Sequence, residues 1–252
     1  MRVDQLIAAR GLARSRSAAQ QLIRAGRVAH DGQPVTRASL DLPEDTTLLV
    51  VDSEPWVGRA AHKLIGALDE FGIIFPSDRP TVVLDAGAST GGFTQVCLAR
   101  GASRVHAVDV GHGQLAQIVR DDPRVVMREG FNLRDLRPDT LGEPVDLVVC
   151  DVSFISLTLL VEPLLAALQP QGQALLLVKP QFEVGRGGID HRGVVKSSAD
   201  ADAAVQRVAD LIRSLGWSVE GPVPSAITGE NGNQEFWLRC SQTSPTVLEE
   251  GT

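Results

Sequence analysis

Four charged side chains lie at the ends of predicted strands or among apolar neighbours. Asp151 and Lys179 each directly follow an apolar, strand-like run, Lys63 lies within an apolar helical pattern, and Glu235 begins the last apolar segment. A single lysine or glutamate is more often a surface charge. Two amines and two carboxylates that converge on one place could instead orient a hydroxyl group and ease the loss of its proton.

The elements that must position these charges follow from residue 60 onward. An amphipathic helix over residues 60–71 ends at Gly72, and strands then alternate with stretches of helix length. The predicted strands are 81–84, 104–108, 124–127, 146–150, 173–178, 217–223 and 234–238, with covering helices at 161–168 and 203–215. This alternation predicts an α/β fold with a doubly wound, mostly parallel, Rossmann-like sheet of seven strands, the last two forming an antiparallel pair at one edge. Asp151 and Lys179 then lie on the rim of the sheet where ligands bind.

A glycine-rich turn follows the first of these strands. The run Asp85-Ala-Gly-Ala-Ser-Thr-Gly-Gly-Phe-Thr94 leads into a helix at the same rim. Its glycines lack the Cβ atoms that would keep the backbone away from a ligand. Such glycines also suit a dinucleotide, or only a tight turn. The acidic entrance at Asp85, and the lack of Lys or Arg before Arg100, disfavour a pyrophosphate and suit a sulfonium cation.

Two polar residues after the next strands extend this candidate cofactor site. Asp109 follows the second strand, where a carboxylate can accept hydrogen bonds from both hydroxyls of an adenosyl ribose, as it also can in nicotinamide enzymes. Asn132 follows the third strand, where its amide could read the adenine edge or serve only as a turn residue. The residues assigned to the cofactor are Asp85, Gly87, Ser89, Gly91, Gly92, Phe93, Asp109, Asn132 and Asp151.

Charge is divided unevenly along the chain. Residues 1–40 contain seven arginines against two aspartates, a net charge of +5, and since the whole chain carries −7 the rest carries −12. The same segment has the pattern of a small module, with two short helices that end at Gly11 and Gly26, a Ser15 cap, a hairpin turn at Asp31-Gly32 and a strand over residues 46–51. The split fits a basic docking module beside an acidic domain, although a solvated charged face would have the same composition. We assign residues 1–55 to the module, 56–59 to a linker and 60–252 to the larger domain.

The three cysteines, Cys97, Cys150 and Cys240, lie far apart in apolar segments. Their spacing supports neither a disulfide framework nor a metal site, so we interpret them as reduced core thiols. The amino-terminal residues lack an apolar signal region, and no run of 18 apolar residues occurs. We expect a cytoplasmic protein that uses no metal and no membrane.

The charged residues and the turn together resemble a known family. Lys63, Asp151, Lys179 and Glu235 resemble the Lys-Asp-Lys-Glu tetrad of the FtsJ-like ribose 2′-O-methyltransferases, and the glycine-rich turn resembles their cofactor loop. The segments Gly58-Arg-Ala-Ala-His-Lys-Leu64, Asp151-Val-Ser-Phe-Ile-Ser156 and Val178-Lys-Pro-Gln-Phe-Glu183 resemble the TlyA family, often labelled haemolysins. Residues 1–55, with Gly11-Leu-Ala-Arg-Ser-Arg16 and Gly26-Arg-Val28, resemble that family's alpha-L RNA-binding motif, which is shared with a small-subunit ribosomal protein.

The resemblance implies methyl transfer from S-adenosylmethionine to the 2′-hydroxyl of cytidine in ribosomal RNA, with ribosomal RNA or a ribosomal subunit as partner. The tetrad would be catalytic, with Lys179 at the 2′-oxygen, where it either removes the proton or positions the hydroxyl. The residues expected to bind RNA are Arg2, Arg14, Ser15, Arg16, Arg24 and Arg27. The positions of the chain ends resemble the shorter members confined to the large subunit. The linker segment Glu54-Pro-Trp-Val57 departs from the more basic linker of longer members.

Three other functions fit parts of the sequence. A non-catalytic RNA-binding or ribosome-assembly protein would carry the basic module, but it would not require lysines and acids at those strand ends. A membrane-active haemolysin would need a spanning segment, and only the basic amino-terminal helix could contact anionic lipid. A nicotinamide oxidoreductase would lack a tyrosine as proton relay, because the chain contains none.

Overall fold

A computed structural model describes residues 1–13, 15–24, 26–50, 55–229 and 231–242. The chain divides into two compact units, Met1–Pro55 and Trp56–Thr252, each with its own hydrophobic core. Residues 56–59, assigned above to a linker, belong to the second unit. There Trp56 packs against the core, and the Val57 amide donates to Gln95 Oε1 at 2.8 Å.

The first unit combines two helices with a three-stranded sheet. Its elements are α1 (Val3–Ala9), α2 (Arg16–Arg24), β1 (Val28–His30), β2 (Gln33–Pro34) and β3 (Leu48–Val50), with strand order β2-β1-β3. Asp31 and Gly32 connect β1 to β2 with φ angles of 49° and 74°, as a two-residue hairpin with both residues left-handed requires. Ser15 Oγ accepts from the Ala18 amide at 3.2 Å and caps α2. The expected hairpin and cap are confirmed.

The second unit is a seven-stranded sheet with flanking helices. Its strands are β4 (Val82–Ala86), β5 (Arg104–Val108), β6 (Val125–Arg128), β7 (Val145–Cys150), β8 (Leu168–Val178), β9 (Trp217–Pro224) and β10 (Phe236–Gln242). Its helices are α3 (Ala60–Glu70), α4 (Gly92–Ala99), α5 (Gln117–Arg120), α6 (Val161–Ala166), α7 (Pro180–Glu183) and α8 (Ser198–Ser214). The strand order is β6-β5-β4-β7-β8-β10-β9, and all pairings are parallel except those of β10. The predicted doubly wound, mostly parallel sheet is confirmed.

Helices cover both faces of this sheet because its central strands are apolar on both sides. Leu84 and Leu176 belong to one core cluster together with residues of α6 and α8. Val83 and Leu177 belong to the other, with residues of α3 and α4. Successive strand residues point to opposite faces, and both faces are buried, as in parallel sheets.

The three cysteines are buried, unpaired thiols within these clusters, as the sequence predicted. Burial raises the pKa of Cys150 and of Cys240 to about 12. Both thiols therefore stay protonated and unreactive at neutral pH.

Candidate active site

Four chain segments meet at one edge of the sheet. Parallel pairing of β4 with β7 sets Asp151, the first residue after β7, beside the glycine-rich turn that follows β4. Because β10 runs antiparallel to β8, Phe236 lies opposite Val178. The residues that flank this pair, Glu235 and Lys179, therefore come to the same edge from opposite chain directions.

The four charged side chains singled out in the sequence form one connected array. Lys179 Nζ lies 2.6 Å from Asp151 Oδ1. Lys63 Nζ, on α3, lies 3.8 Å from Asp151 Oδ2 and donates to Glu235 Oε2 at 2.6 Å. The signs of the charges thus alternate from Lys179 through Asp151 and Lys63 to Glu235.

All four side chains of this charged array are largely buried. The exposed fraction is 12% for Asp151 and 9% or less for the other three. Removing charges from water costs several kcal/mol per ion, and pairing often does no more than offset that cost. Such an array is a poor device for stability, so its place at the ligand-binding edge of the sheet indicates a functional site.

Two uncharged side chains that the sequence analysis missed extend the array. Ser153 Oγ accepts from Lys179 Nζ at 2.7 Å, and Gln181 Nε2 donates to Glu235 Oε1 at 3.4 Å. Each lies two residues beyond a strand-end charge, and that spacing could have indicated them. Among the described residues Lys179 has two oxygen partners, Asp151 and Ser153. Asp151 contacts this ammonium group as an ion pair and Ser153 accepts a hydrogen bond from it, so at least one of its three N–H donors remains for an incoming oxygen.

The glycine-rich turn packs closely against its neighbours. Gly87 has a φ of +89°, and a Cβ atom there would lie 2.9 Å from the Asp151 carbonyl oxygen. Gly91 has a φ of +94°, and its Cβ would lie 2.8 Å from Leu115 Cδ1. Glycine is therefore required at both positions by the backbone and by packing, and Gly92 begins α4 directly behind them.

Asp109 secures the same turn from the end of β5. Its Oδ2 accepts from the Ser89 amide at 2.8 Å, and its Oδ1 accepts from the Gly111 amide at 2.7 Å. Each carboxylate oxygen can accept a further hydrogen bond. The half-buried carboxylate therefore keeps the capacity to bind two neighbouring hydroxyl groups.

Phe93 and Asn132, both assigned to the cofactor above, have structural partners. Phe93 is buried in the core, where its ring stacks on Trp237 with 5.8 Å between the centroids. Asn132 is exposed, and its Oδ1 accepts from the Arg134 amide at 3.0 Å, which caps the short helix Leu133–Asp135. Phe93 thus supports the turn from the core. Asn132 has the turn role that the sequence left open, and its amide nitrogen remains for a ligand.

Asp85 is not the exposed acidic entrance that the sequence predicted, because the end of β4 is buried. Its side chain has no exposed area, and its Oδ2 accepts from Thr94 Oγ1 at 2.6 Å. Its Oδ1 has no hydrogen-bond partner among the described residues. Burial raises the pKa of Asp85 from 3.8 to about 7, although the Thr94 hydrogen bond opposes that change. Protonated and ionised forms therefore coexist near neutral pH.

Comparison with known proteins identifies the family of the chain. Residues 56–241 match the family model of the FtsJ-like methyltransferases, and residues 1–48 match that of the S4 domain. The chain is 47% identical over 254 residues to 16S/23S rRNA (cytidine-2′-O)-methyltransferase TlyA of Mycobacterium tuberculosis, with 99% of this chain and 93% of the relative covered. The chain belongs to the TlyA family of FtsJ-like methyltransferases. The resemblance described from the sequence is thereby confirmed.

Two further similarities agree with the TlyA assignment. The chain is 37% identical over 202 residues to 23S rRNA (cytidine-2′-O)-methyltransferase TlyA of Campylobacter jejuni, with 77% of this chain and 76% of the relative covered. A solved structure described as a hemolysin from Streptococcus thermophilus has a TM-score of 0.74 and 36% identity, and the match covers 97% of this chain and 89% of the other. The hemolysin label thus accompanies the same fold.

Two features are absent from the described part of this TlyA-family methyltransferase. None of its helices combines the length and apolar character needed to cross a membrane. The same residues form no group of three or more His, Cys, Asp or Glu side chains that could hold a metal ion.

The S4 domain of this TlyA-family chain contains the residues assigned to RNA binding, which are Arg2, Arg14, Ser15, Arg16, Arg24 and Arg27. Arg24 is exposed at the end of α2, and Arg27 is half-buried before β1. Arg2 and Arg16 keep 39% and 48% of their side chains exposed. Ser15 caps α2, and Arg14 lies outside the described residues.

Replacing Asp85 by asparagine is expected to change how the stability of this TlyA-family enzyme depends on pH. The folded-state pKa lies above the unfolded value, so the folded protein binds the proton more tightly, and stability falls as pH rises from about 4 to about 7. Above pH 7 the loss of unfolding free energy caused by ionised Asp85 stays constant, on the order of 4 kcal/mol. The Asp85→Asn variant cannot titrate, so its advantage in unfolding free energy should grow across that range and then stay constant.

Urea unfolding followed by tryptophan fluorescence measures this effect, because Trp56, Trp217 and Trp237 all belong to the methyltransferase unit. The difference between variant and wild type at each pH cancels the other titrating groups. A difference that does not vary with pH would contradict the prediction.

Proposed function

We propose that this chain transfers a methyl group from S-adenosylmethionine to the ribose 2′-hydroxyl of cytidine in ribosomal RNA, with large-subunit RNA as the substrate. The observation that carries the proposal is the buried array of Lys63, Asp151, Lys179 and Glu235 beside the glycine-rich turn. A protein that only binds RNA has no use for four buried charges at the ligand-binding edge of a Rossmann-like sheet.

The names of the relatives support ribosomal RNA as the proposed substrate. Both TlyA proteins reported above are rRNA (cytidine-2′-O)-methyltransferases, and 23S RNA occurs in both names, whereas 16S RNA occurs only in that of the Mycobacterium tuberculosis protein. Large-subunit RNA is therefore the first candidate, and small-subunit RNA is the second. Either substrate places the activity in the cytoplasm, with the ribosomes.

The residues present fit the proposed cofactor. Asp109 offers two carboxylate oxygens to the ribose hydroxyls, and the backbone of residues 85–93 would border the rest of the molecule. This turn carries no cationic side chain, which suits a positively charged ligand. When bound, S-adenosylmethionine would supply an electrophilic methyl group, so that transfer to the 2′-oxygen breaks the methyl–sulfur bond, forms an O–C bond, leaves S-adenosylhomocysteine and releases the hydroxyl proton to solvent.

Lys179 acts at the 2′-oxygen in this proposal. Asp151 pairs with its Nζ at 2.6 Å and Ser153 accepts from it at 2.7 Å, and a remaining N–H donates to the 2′-oxygen and orients its lone pair. Lys63 and Gln181 hold Glu235. The two carboxylates balance the two ammonium groups, so the site does not repel a sulfonium cation.

The two units divide the work. Residues 1–55 supply the contact with RNA, because they contain the S4 domain and because their seven arginines all lie in the segment 1–40, which carries +5, whereas residues 56–252 carry −7. Residues 56–252 bind the cofactor and carry out the transfer. An acidic surface by itself would repel a polyanion.

A methylation assay tests the proposal directly. The protein is incubated with methyl-labelled S-adenosylmethionine and unmodified large or small ribosomal subunits, and nuclease digestion followed by mass spectrometry identifies the modified nucleoside. We expect 2′-O-methylcytidine from the large subunit, and no product when the mapped cytidine is replaced by deoxycytidine. Label on a base, or no transfer to either subunit by protein that binds the cofactor, would contradict the proposal.

Replacing Asp109 by alanine is expected to weaken binding of S-adenosylmethionine by about 1.5–3 kcal/mol, the scale of hydrogen bonds to a charged group. The variant loses the proposed ribose contacts and the support that Asp109 gives the Ser89 amide. Calorimetric titration measures the loss. The control ligand is S-adenosylhomocysteine without its two ribose hydroxyls, for which the deficit of the variant should shrink. An unchanged dissociation constant for the natural cofactor would remove Asp109 from the site.

A further inference from the structure

Asp4 is a carboxylate of the S4 domain whose side chain has no exposed area. Arg2 donates to it through Nε and Nη2, both at 3.2 Å. Arg16 donates through Nε at 2.9 Å, and Gln20 donates through Nε2 at 2.7 Å. One acid on α1 thus joins the residue before α1 to two residues of α2.

The electrostatics of this cluster favour a charged Asp4. Burial by itself would raise the pKa of Asp4, but the hydrogen bonds from its three partners outweigh burial and hold the pKa well below its ordinary value. The carboxylate is therefore ionised at neutral pH. It holds both guanidinium groups by charge-assisted hydrogen bonds, which are the stronger and more directional kind.

Asp4 leaves most of the donors of the two arginines free. A guanidinium group has five N–H donors in a planar fork. The contacts above use two of Arg2 and one of Arg16, and the side chains remain 39% and 48% exposed. The two arginines thus lie next to each other in one orientation, with donors available on the surface. Such a planar fork matches the oxygens of a phosphate group.

We propose that Asp4 is a positioning residue for RNA binding, which holds Arg2 and Arg16 so that their free N–H groups bind neighbouring phosphates of one RNA strand. The inference rests on the proposed function, since it names how the S4 domain holds its substrate. Because Asp4 already holds the two arginine side chains in one orientation in the free protein, less side-chain entropy is lost when they bind RNA. Asp4 therefore strengthens binding to a polyanion although it is itself an anion.

Removing the charge of Asp4 has two opposing effects on RNA binding, one through the net charge of the domain and one through the orientation of Arg2 and Arg16, and this opposition gives a decisive test. Asp4→Asn raises the net charge of the domain by one, so long-range electrostatics by itself predicts tighter binding of RNA. Loss of the arginine anchor predicts weaker binding. We expect the full-length variant to bind a large-subunit RNA fragment roughly three- to tenfold more weakly than wild type, with a salt dependence that is shallower by about one phosphate contact.

The matched control is Asp31→Asn, which removes the same charge from the exposed hairpin turn. Asp31 is 80% exposed and has a φ of 49°, a conformation that asparagine tolerates. This variant should bind RNA as tightly as wild type or more tightly. A second comparison repeats Asp4→Asn in a protein that already carries Arg2→Gln and Arg16→Gln, where it should cause no further loss.

Arg16→Lys keeps the proposal testable if the Asp4→Asn variant fails to fold. It preserves the charge but not the planar fork that serves Asp4 and a phosphate together, so affinity should again fall several-fold. Binding as tight as wild type by a folded Asp4→Asn or Arg16→Lys variant, or an equal loss in the protein that carries Arg2→Gln and Arg16→Gln, would overturn the role of Asp4. A wild-type protein that does not bind or methylate ribosomal RNA would contradict the proposed function as well.

Discussion

Lys179→Ala is expected to lower the rate of methyl transfer by roughly 10²- to 10⁴-fold, the scale of a group that acts on the transferred proton or its oxygen. Affinity for S-adenosylmethionine should stay within about threefold of wild type. The reason is that, within the part of the chain that the structure describes, the partners of Lys179 Nζ are Asp151 and Ser153, and neither belongs to the glycine-rich turn. Single-turnover methylation measures the rate, and calorimetry measures the affinity.

Two controls accompany this variant. Lys196→Ala removes an exposed lysine whose Nζ donates to the Gly187 carbonyl oxygen at 3.0 Å, so transfer should continue at the wild-type rate. Lys179→Met keeps most of the side-chain volume and separates loss of the amine from loss of packing. Thermal unfolding shows that the variants assayed are folded. Retention of even a tenth of wild-type turnover would remove Lys179 from the catalytic array.

Deleting residues 1–55 is expected to abolish tight RNA binding while leaving a folded unit that still binds S-adenosylmethionine. The remaining chain keeps both core clusters that enclose the sheet, and all residues of the charged array. It loses the basic segment, so affinity for ribosomal RNA at about 0.1 M salt should fall at least tenfold, because each lost phosphate contact also loses the release of its counterions. Calorimetry and filter binding measure the two affinities.

Point variants connect this deletion to particular arginines. Separate replacement of Arg14 and of Arg16 by alanine should each lower RNA affinity and reduce the slope of its salt dependence by about one. The Arg16 variant also loses a contact with Asp4, so its effect should be the larger one. If the truncated protein methylates ribosomal RNA as well as the full chain does, the division of work between the two units is wrong.

The structure also shows why some contacts could not be predicted. Asp4 is close in sequence only to Arg2, and its bonds to Arg16 and Gln20 depend on how α1 packs against α2. From the sequence, Asp4 is therefore only a charge that lowers the basic total. For Asp85 the sequence prediction was wrong in the opposite direction. A carboxylate after an apolar strand suggested an acidic entrance to the cofactor site, whereas packing of α4 against β4 buries the side chain.

The sequence by itself determined the order of the elements, the charges at the strand ends, the glycine-rich turn and the division of net charge. These features follow from periodicity and composition, which are local and can be read along the chain. Only the tertiary structure decided which charges meet. Lys63 and Glu235 are separated by 172 residues, and their 2.6 Å contact arises because the antiparallel β10 brings the residue just before it to the edge where the parallel strands end. Pairing of that kind depends on the strand order of the whole sheet, which no local pattern encodes.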